Sequence, residues 1–423
     1  MPSKIWFLNH FAYLPEDGPH TRHFCLGKYL SRKGYETTVF ASNELHGTGR
    51  TIDTGKELYA EKQVKNVRFL YVKSHHYKKN DFHRILNIIS CYFNMEKVCK
   101  REAKKNGPPD VIYASCLYPT TLMTGIRLAK KYGIKCISET RDIVPDGFST
   151  KGTFRPDGLV AKIARRVMKR IYEKSDALVF TMSGGPGYIS EMGWDTPHGG
   201  KIDPDRVFYI NNGVDLEDFE ENARNFVQPD PDLDNKELFK VVYFGAIRFF
   251  NNMSLFLDAA RELKKLGRND IKILMWGTGT KLDEMRQQLA DEGLDNLVLK
   301  GYVEKKYIPA IAERGDLFIG TGNSSSVNRY GMSFNKLFDY LAAGKPILLP
   351  FEVKNSIVAA NGAGVELADA DGKRIAEEII HFADMEKAEY DHYCEQSRSV
   401  SKQFGYDVLA AKVENVINLL NQH

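Results

Sequence analysis

Gly331-Met-Ser-Phe-Asn-Lys-Leu-Phe-Asp-Tyr-Leu-Ala-Ala-Gly-Lys-Pro-Ile347 reads as one helix-to-strand unit. Ser333 is the expected N-cap, and Leu337, Tyr340 and Leu341 form an apolar stripe at helical spacing. Gly344 ends the helix at its C′ position, and Pro346 blocks its continuation before the apolar strand Ile347-Leu-Leu-Pro350. The run Thr321-Gly-Asn-Ser-Ser-Ser326 is loop-like and delivers the chain to a helix start carrying Ser333, Asn335 and Lys336. Free backbone N–H groups, the positive end of the helix dipole and a lysine together suit a phosphate. Asp339 falls one turn after Asn335 on the same face, where its carboxylate reaches hydroxyls of an attached sugar. A diphosphate joined to a polyol describes a nucleotide sugar. The same residues also describe an ordinary buried α/β helix with a serine cap, and local physics leaves both readings open.

The alternation of strand and helix repeats outward from this unit. A first block has strands at Ile5–Leu8, Thr37–Ala41, Val67–Val72, Val111–Ala114, Lys135–Ser138 and Ala177–Thr181, with helices near Thr21–Lys33 and Thr120–Tyr132. A second opens at Lys240-Val-Val-Tyr-Phe-Gly245 and continues through Ile271–Trp276, Val298–Lys300 and Leu317–Gly320, with helices near Met253–Leu266 and Thr280–Glu292. Such alternation predicts parallel sheets covered on both faces, with ligands at the carboxyl ends of the strands. A chain of 423 residues is also too long for one core. The expected architecture is α/β with two Rossmann-like domains, at 1–205 and 206–405.

Charge separates the two halves. Residues 1–200 hold 32 Lys/Arg against 19 Asp/Glu, and the remainder holds 27 against 36. A basic first domain suits nucleic acid, anionic lipid or an acidic substrate; no nucleic-acid motif accompanies it, which ranks lipid first. Two helices concentrate the charge. Phe82–Lys105 mixes Phe82, Ile85, Ile88, Ile89, Tyr92, Phe93 and Met95 with Lys97, Lys100, Arg101, Lys104 and Lys105, and Leu159–Lys174 mixes Val160, Ile163 and Val167 with Lys162, Arg165, Arg166, Lys169 and Arg170. Either the apolar faces pack on the sheet and the basic faces are solvated, or a helix lies on a lipid surface. No apolar run approaches the ~20 residues that span a bilayer. Met1-Pro-Ser-Lys leads straight into a strand rather than a signal peptide, so a cytoplasmic protein is expected. Six cysteines without a C-x-x-C pair predict reduced thiols and no zinc site. Asp230-Pro-Asp232-Leu-Asp234 invites a metal-binding reading, but no strand precedes it and the composition favours a solvated linker.

The Ser333–Pro346 segment resembles the donor-site helix of the family 4 retaining glycosyltransferases, in the subgroup whose pattern reads S-P-N-K-L-F-E-Y-M-A-A-G-K-P. In most of that family two glutamates stand eight residues apart here; this chain has Asp339 at the second position and Gly331 at the first. Ser183–Gly193 and Val207–Asp215, with the turn Asn212-Gly213, are similar to the family's domain junction. The resemblance implies a metal-independent GT-B glycosyltransferase without a cofactor, its two Rossmann-like domains facing across a cleft. The helix near Asp407–Leu420 would return to the first domain. The implied donor is a nucleotide sugar, UDP-linked by family frequency, with its diphosphate at Ser333, Asn335 and Lys336 and its ribose at Asp339. The implied acceptor is a glycan or polyprenyl-diphosphate-linked sugar in bacterial surface-polysaccharide synthesis, with amino-sugar and fucosamine transferases the nearest likeness. Peripheral contact with the inner membrane face would follow.

Further residues take roles by the same resemblance. In the loop Pro15–His23, Gly18, Thr21 and Arg22 match a subgroup pattern that faces the donor; the alternative is a plain helix cap. In Ser138–Asp146, Asp142 takes the place beside the attacking hydroxyl, Arg141 an anionic contact and Asp146 acceptor binding; the alternative is a surface Arg–Asp pair. The family's G-R-L-x-x-x-K-G corresponds to Gly245–Asn252, where Ala246 and Asn251 replace the two cations and Arg248 stands two residues late; Arg329 is a further candidate cation. Tyr302 and Val303 fall where the family's backbone pairs with the nucleotide base. Two rivals remain: a UDP-sugar 2-epimerase sharing this donor site, and a non-catalytic sugar- or membrane-binding protein whose site has degenerated.

Overall fold

The structure, a computed structural model, describes residues 4–78, 81–149, 155, 157–248, 252–322 and 328–422. The chain forms two units: Met1–Asn211 with Tyr406–His423, and Asn212–Gly405.

The first unit contains β1 (Lys4–Asn9), β2 (Glu36–Ser42), a small hairpin β3 (Glu44–Leu45) and β4 (Arg50–Thr51), β5 (Tyr59–Val64), β6 (Val67–Val72), β7 (Val111–Cys116), β8 (Lys135–Thr140), β9 (Ala177–Phe180) and β10 (Val207–Tyr209). Its sheet runs β10-β9-β8-β7-β1-β2-β6-β5, parallel throughout except for β5 against β6. Ile5, Trp6, Phe7 and Leu8 are all buried, as a strand covered on both faces requires. The edge strand Tyr59-Ala-Glu-Lys-Gln-Val64 has no such run, and periodicity did not reveal it. Because β10 joins this sheet, the division falls at Asn212 rather than at 206.

The helices Phe82–Asn106, Pro119–Tyr132 and Leu159–Tyr172 form one layer, with Pro119–Tyr132 packed between the other two. The C-terminal helix Tyr406–Asn421 packs on the first helix, Arg22–Arg32, where Lys33 Nζ lies 2.6 Å from Glu414.

The second unit contains β11 (Phe239–Phe244), β12 (Ile271–Trp276), β13 (Leu297–Gly301), β14 (Leu317–Ile319), β15 (Ile347–Leu349) and β16 (Gly364–Glu366), all parallel in the order β13-β12-β11-β14-β15-β16. Its core joins Val241, Tyr243, Ile273 and Met275 to Phe256, Leu263, Ile375 and Ile379 of the covering helices. The Asp230–Asp234 linker is tied to this sheet. Lys300 Nζ lies 2.8 Å from both Asp230 oxygens and 2.6 Å from Asp232, whose other oxygen takes Lys272 at 2.7 Å. These carboxylates are ion-paired to strand lysines rather than solvated. Cys25, Cys91, Cys99, Cys136 and Cys394 are buried cysteines.

Candidate functional site

In the second unit, β11 and β14 end at the N-terminus of the helix Asn335–Ala343. Tyr340 fixes that helix to the sheet: its hydroxyl accepts from the Phe244 N–H at 3.0 Å, and its ring stacks on Phe318 at 4.3 Å. The cap is Phe334, which makes no side-chain bond to the first turn, so the expectation that Ser333 caps the helix is corrected. Ser333 instead accepts from Asn212 Nδ2 through both its hydroxyl, at 2.9 Å, and its carbonyl, at 2.7 Å. The Asn-Gly turn thereby anchors the entry to the helix.

Lys336 turns back from the first turn onto the strand ends. Its Nζ donates to Thr321 Oγ1 at 2.9 Å and sits 4.3 Å from the centre of the Tyr243 ring. Desolvation pulls its pKa down to about 7. A Cβ on Gly245, whose φ is +148°, would come within 3.2 Å of that ammonium. The glycine therefore leaves room for the cation and for whatever it meets. Asp339 is half-buried, and desolvation raises its pKa while Lys305 opposes that shift. Among the described residues no salt bridge reaches Lys336 or Asp339. Asn335 and Arg248 are exposed, and Tyr302 projects from the end of β13 with 74% exposure beside half-buried Val303. Arg329 is exposed and bonds the Tyr330 hydroxyl at 2.8 Å. Gly331 has φ +97°, a region that a glutamate would adopt only with strain. Asn251 and residues 323–326 lie outside the described residues.

In the first unit, the Gly18–Arg22 and Glu139–Asp146 segments meet, though not as expected. Arg22 is buried, with its Nε 2.8 Å and Nη2 2.7 Å from Glu139 Oε1. Its remaining donors go to the carbonyls of Ile210 and Asn211. Glu139 also accepts from Tyr113 at 2.7 Å and from Ser115 at 2.6 Å, and His23 Nε2 lies 3.3 Å away. Burial opposes the Glu139 charge, but Arg22 and His23 outweigh it and hold the carboxyl well below the usual range. The expectation that Arg22 grips the donor is corrected: its donors are spent inside this unit. Gly18 packs against the Tyr13 ring, where a Cβ would stand 2.7 Å from a ring carbon, and Thr21 is a buried cap. Asp146 accepts from Arg165 and from Tyr188 at 3.1 Å, so its carboxylate holds a loop to the following helix. Arg141 and Asp142 are half-buried just beyond β8.

Sequence reasoning missed an aromatic cluster at the same sheet edge. His46 stacks between Phe11, at 4.9 Å, and Tyr77, at 6.0 Å. His10 meets Tyr118 edge-on at 5.1 Å, and Arg84 Nε donates to the Tyr118 hydroxyl at 2.8 Å. Burial lowers the pKa of His10 to about 4. These residues follow different strands, so no local pattern joins them.

Residues 239–384 match the family described as Glycosyl transferases group 1. No curated protein matches the chain in sequence. Among solved structures it is similar to a sucrose-phosphate synthase from Thermosynechococcus elongatus, at TM-score 0.72 and 14% identity, covering 99% of both chains. It is similar to an alpha,alpha-trehalose-phosphate synthase (UDP-forming) from Burkholderia vietnamiensis, at TM-score 0.70 and 14% identity, again over 99% of each. HepE from Anabaena, solved in complex with UDP, aligns at TM-score 0.65 and 14% identity over 98% of this chain and 99% of that one. These likenesses define a GT-B fold of two Rossmann-like α/β domains. Within it, the second unit carries the glycosyl transferases group 1 match.

Proposed function

We propose that the chain is a retaining glycosyltransferase that moves a sugar from a UDP-sugar to a glycan or lipid-linked acceptor, without a metal. The observation that carries this reading is Lys336, a desolvated lysine at a helix N-terminus among strand ends, with Asp339 one turn on. A diphosphate is the ligand such a place favours, and a leaving diphosphate gains charge that a pre-placed cation stabilises without reorganisation. The group 1 match over this unit and the UDP-bound HepE among its structural likenesses support the same donor. Asn335 and Arg248, both exposed, would assist, and Tyr302 and Val303 would meet the base.

In the first unit Asp142 would orient the acceptor hydroxyl and Arg141 an anionic group on the acceptor. Retention implies same-face attack with the departing phosphate helping to take the proton. Bacterial polysaccharide synthesis is the setting proposed, in a cytoplasmic protein that visits the inner membrane face through its basic first unit. No helix among the described residues is long and apolar enough to cross a membrane.

Thermal shift with UDP-, GDP- and dTDP-sugars tests the donor, since a ligand of the native state raises the melting point. A shift with UDP-sugars that persists in excess EDTA is expected. No shift with any nucleotide sugar, or a shift that needs added magnesium, contradicts the reading. An epimer formed from the UDP-sugar alone would identify a 2-epimerase instead.

A further inference from the structure

The helix layer of the first unit leaves large apolar side chains in water. On Phe82–Asn106 these are Phe82, Ile85, Ile89 and Phe93, with Phe82 65% exposed. Their spacing sets them in one line along the helix. On Leu159–Tyr172 they are Leu159, Val160, Ile163 and Val167, with Leu159 74% exposed. Met123, near the start of the intervening helix, is exposed as well. Each of these helices connects parallel strands and starts at the carboxyl edge of the sheet. Phe82, Ile85, Met123, Leu159, Val160 and Ile163 therefore gather at the edge that also carries Arg84, Tyr118 and Asp142. Packing of the apolar faces on the sheet does not account for these side chains, because they face outward.

Charge indicates what covers them. The Leu159–Tyr172 helix has five Lys/Arg and no carboxylate. Lys162, Arg166 and Arg170 are exposed beside the apolar line. A second copy docking here through a two-fold axis would set this basic helix against a like-charged surface. An anionic lipid surface accepts both features, with apolar side chains among the acyl chains and lysine and arginine heads at the phosphates.

We propose that this face is a lipid-docking surface that seats the first unit on an anionic bilayer leaflet, with Phe82, Ile85, Leu159 and Ile163 entering the interface and Lys162, Arg166 and Arg170 meeting head-group phosphates. The proposal deepens the membrane-side reading above and rests on it for its biological purpose. It places the carboxyl edge of the first sheet next to the lipid surface, so a lipid-linked acceptor would reach Asp142 without leaving the leaflet.

Vesicle flotation of the full chain tests it, with phosphatidylglycerol in phosphatidylcholine against phosphatidylcholine alone, at low and high salt. Three cations near the surface predict tighter binding to the anionic vesicles on the order of a hundredfold at low salt, fading as salt rises. Phe82→Ser with Ile85→Ser, and Leu159→Ser with Ile163→Ser, should each lower vesicle affinity at least about tenfold, because interfacial binding scales with buried apolar area. Since these side chains are exposed, the melting temperature should hold. Floating as well as the parent chain would overturn the proposal. So would a failure to float, or a dimer that Phe82→Ser with Ile85→Ser dissociates, which would assign the face to a second copy. UDP-sugar affinity is measured alongside on the same variants. Vesicle binding without nucleotide-sugar binding would remove the glycosyltransferase reading and leave the surface standing.

Discussion

The two sheets treat buried charge in opposite ways at their carboxyl edges. In the first unit Arg22 and Glu139 are sealed inside with their partners: Tyr113, Ser115, His23 and two carbonyls complete the set, and the carboxyl stays ionised. In the second, Lys336 and Asp339 lose water without gaining an ion pair among the described residues, and both shift toward their neutral forms. A completed network holds a fold together. Charges desolvated in advance of a partner are poised for a ligand that restores their ionisation.

Breaking the completed network should have the largest effect, and it should fall on stability. Arg22→Met removes the main counter-charge of Glu139, and losing one partner of a buried pair costs about 3–5 kcal/mol. Urea denaturation should show that loss while UDP affinity of the folded fraction stays unchanged. Normal stability with weakened UDP binding would return Arg22 to the donor site. Breaking the uncompensated site should do the reverse. Lys336→Ala should lower turnover about 10²–10³-fold, as for one lost transition-state contact, and leave the urea midpoint near that of the parent. If turnover stays level, Lys336 is a core lysine that happens to lie at a helix start.

What the sequence revealed follows the same physical division. Phe239–Phe244 and Ile271–Trp276 are legible because strands buried on both faces must be apolar throughout. The helix Asn335–Ala343 is legible because its apolar stripe, its stop at Gly344 and Pro346 are local signals. Its cap was misplaced by one residue, since Phe334 carries no capping group and Ser333 serves Asn212, far away in sequence. Arg22 looked like a loop cation because its partner Glu139 lies more than a hundred residues on. The Phe11–His46–Tyr77 stack and the outward Phe82 stripe were hidden for a related reason. Periodicity shows that a helix has an apolar face, and only tertiary packing shows whether anything covers it.

The central claim is that Lys336 is desolvated in advance of a diphosphate, whose binding restores its full charge. With a free pKa of about 7, it carries a proton in only a minor fraction of molecules at pH 8. A bound diphosphate raises that pKa, so binding takes up a proton, and donor affinity falls as pH rises from 7 toward the bound-state value. Calorimetric titration of UDP-glucose at pH 8, in buffers of different ionisation enthalpy, reads that uptake directly. Uptake approaching roughly nine-tenths of a proton is predicted for the parent chain, with none for Lys336→Met. Tight binding with a buffer-independent enthalpy in the parent chain would contradict the account.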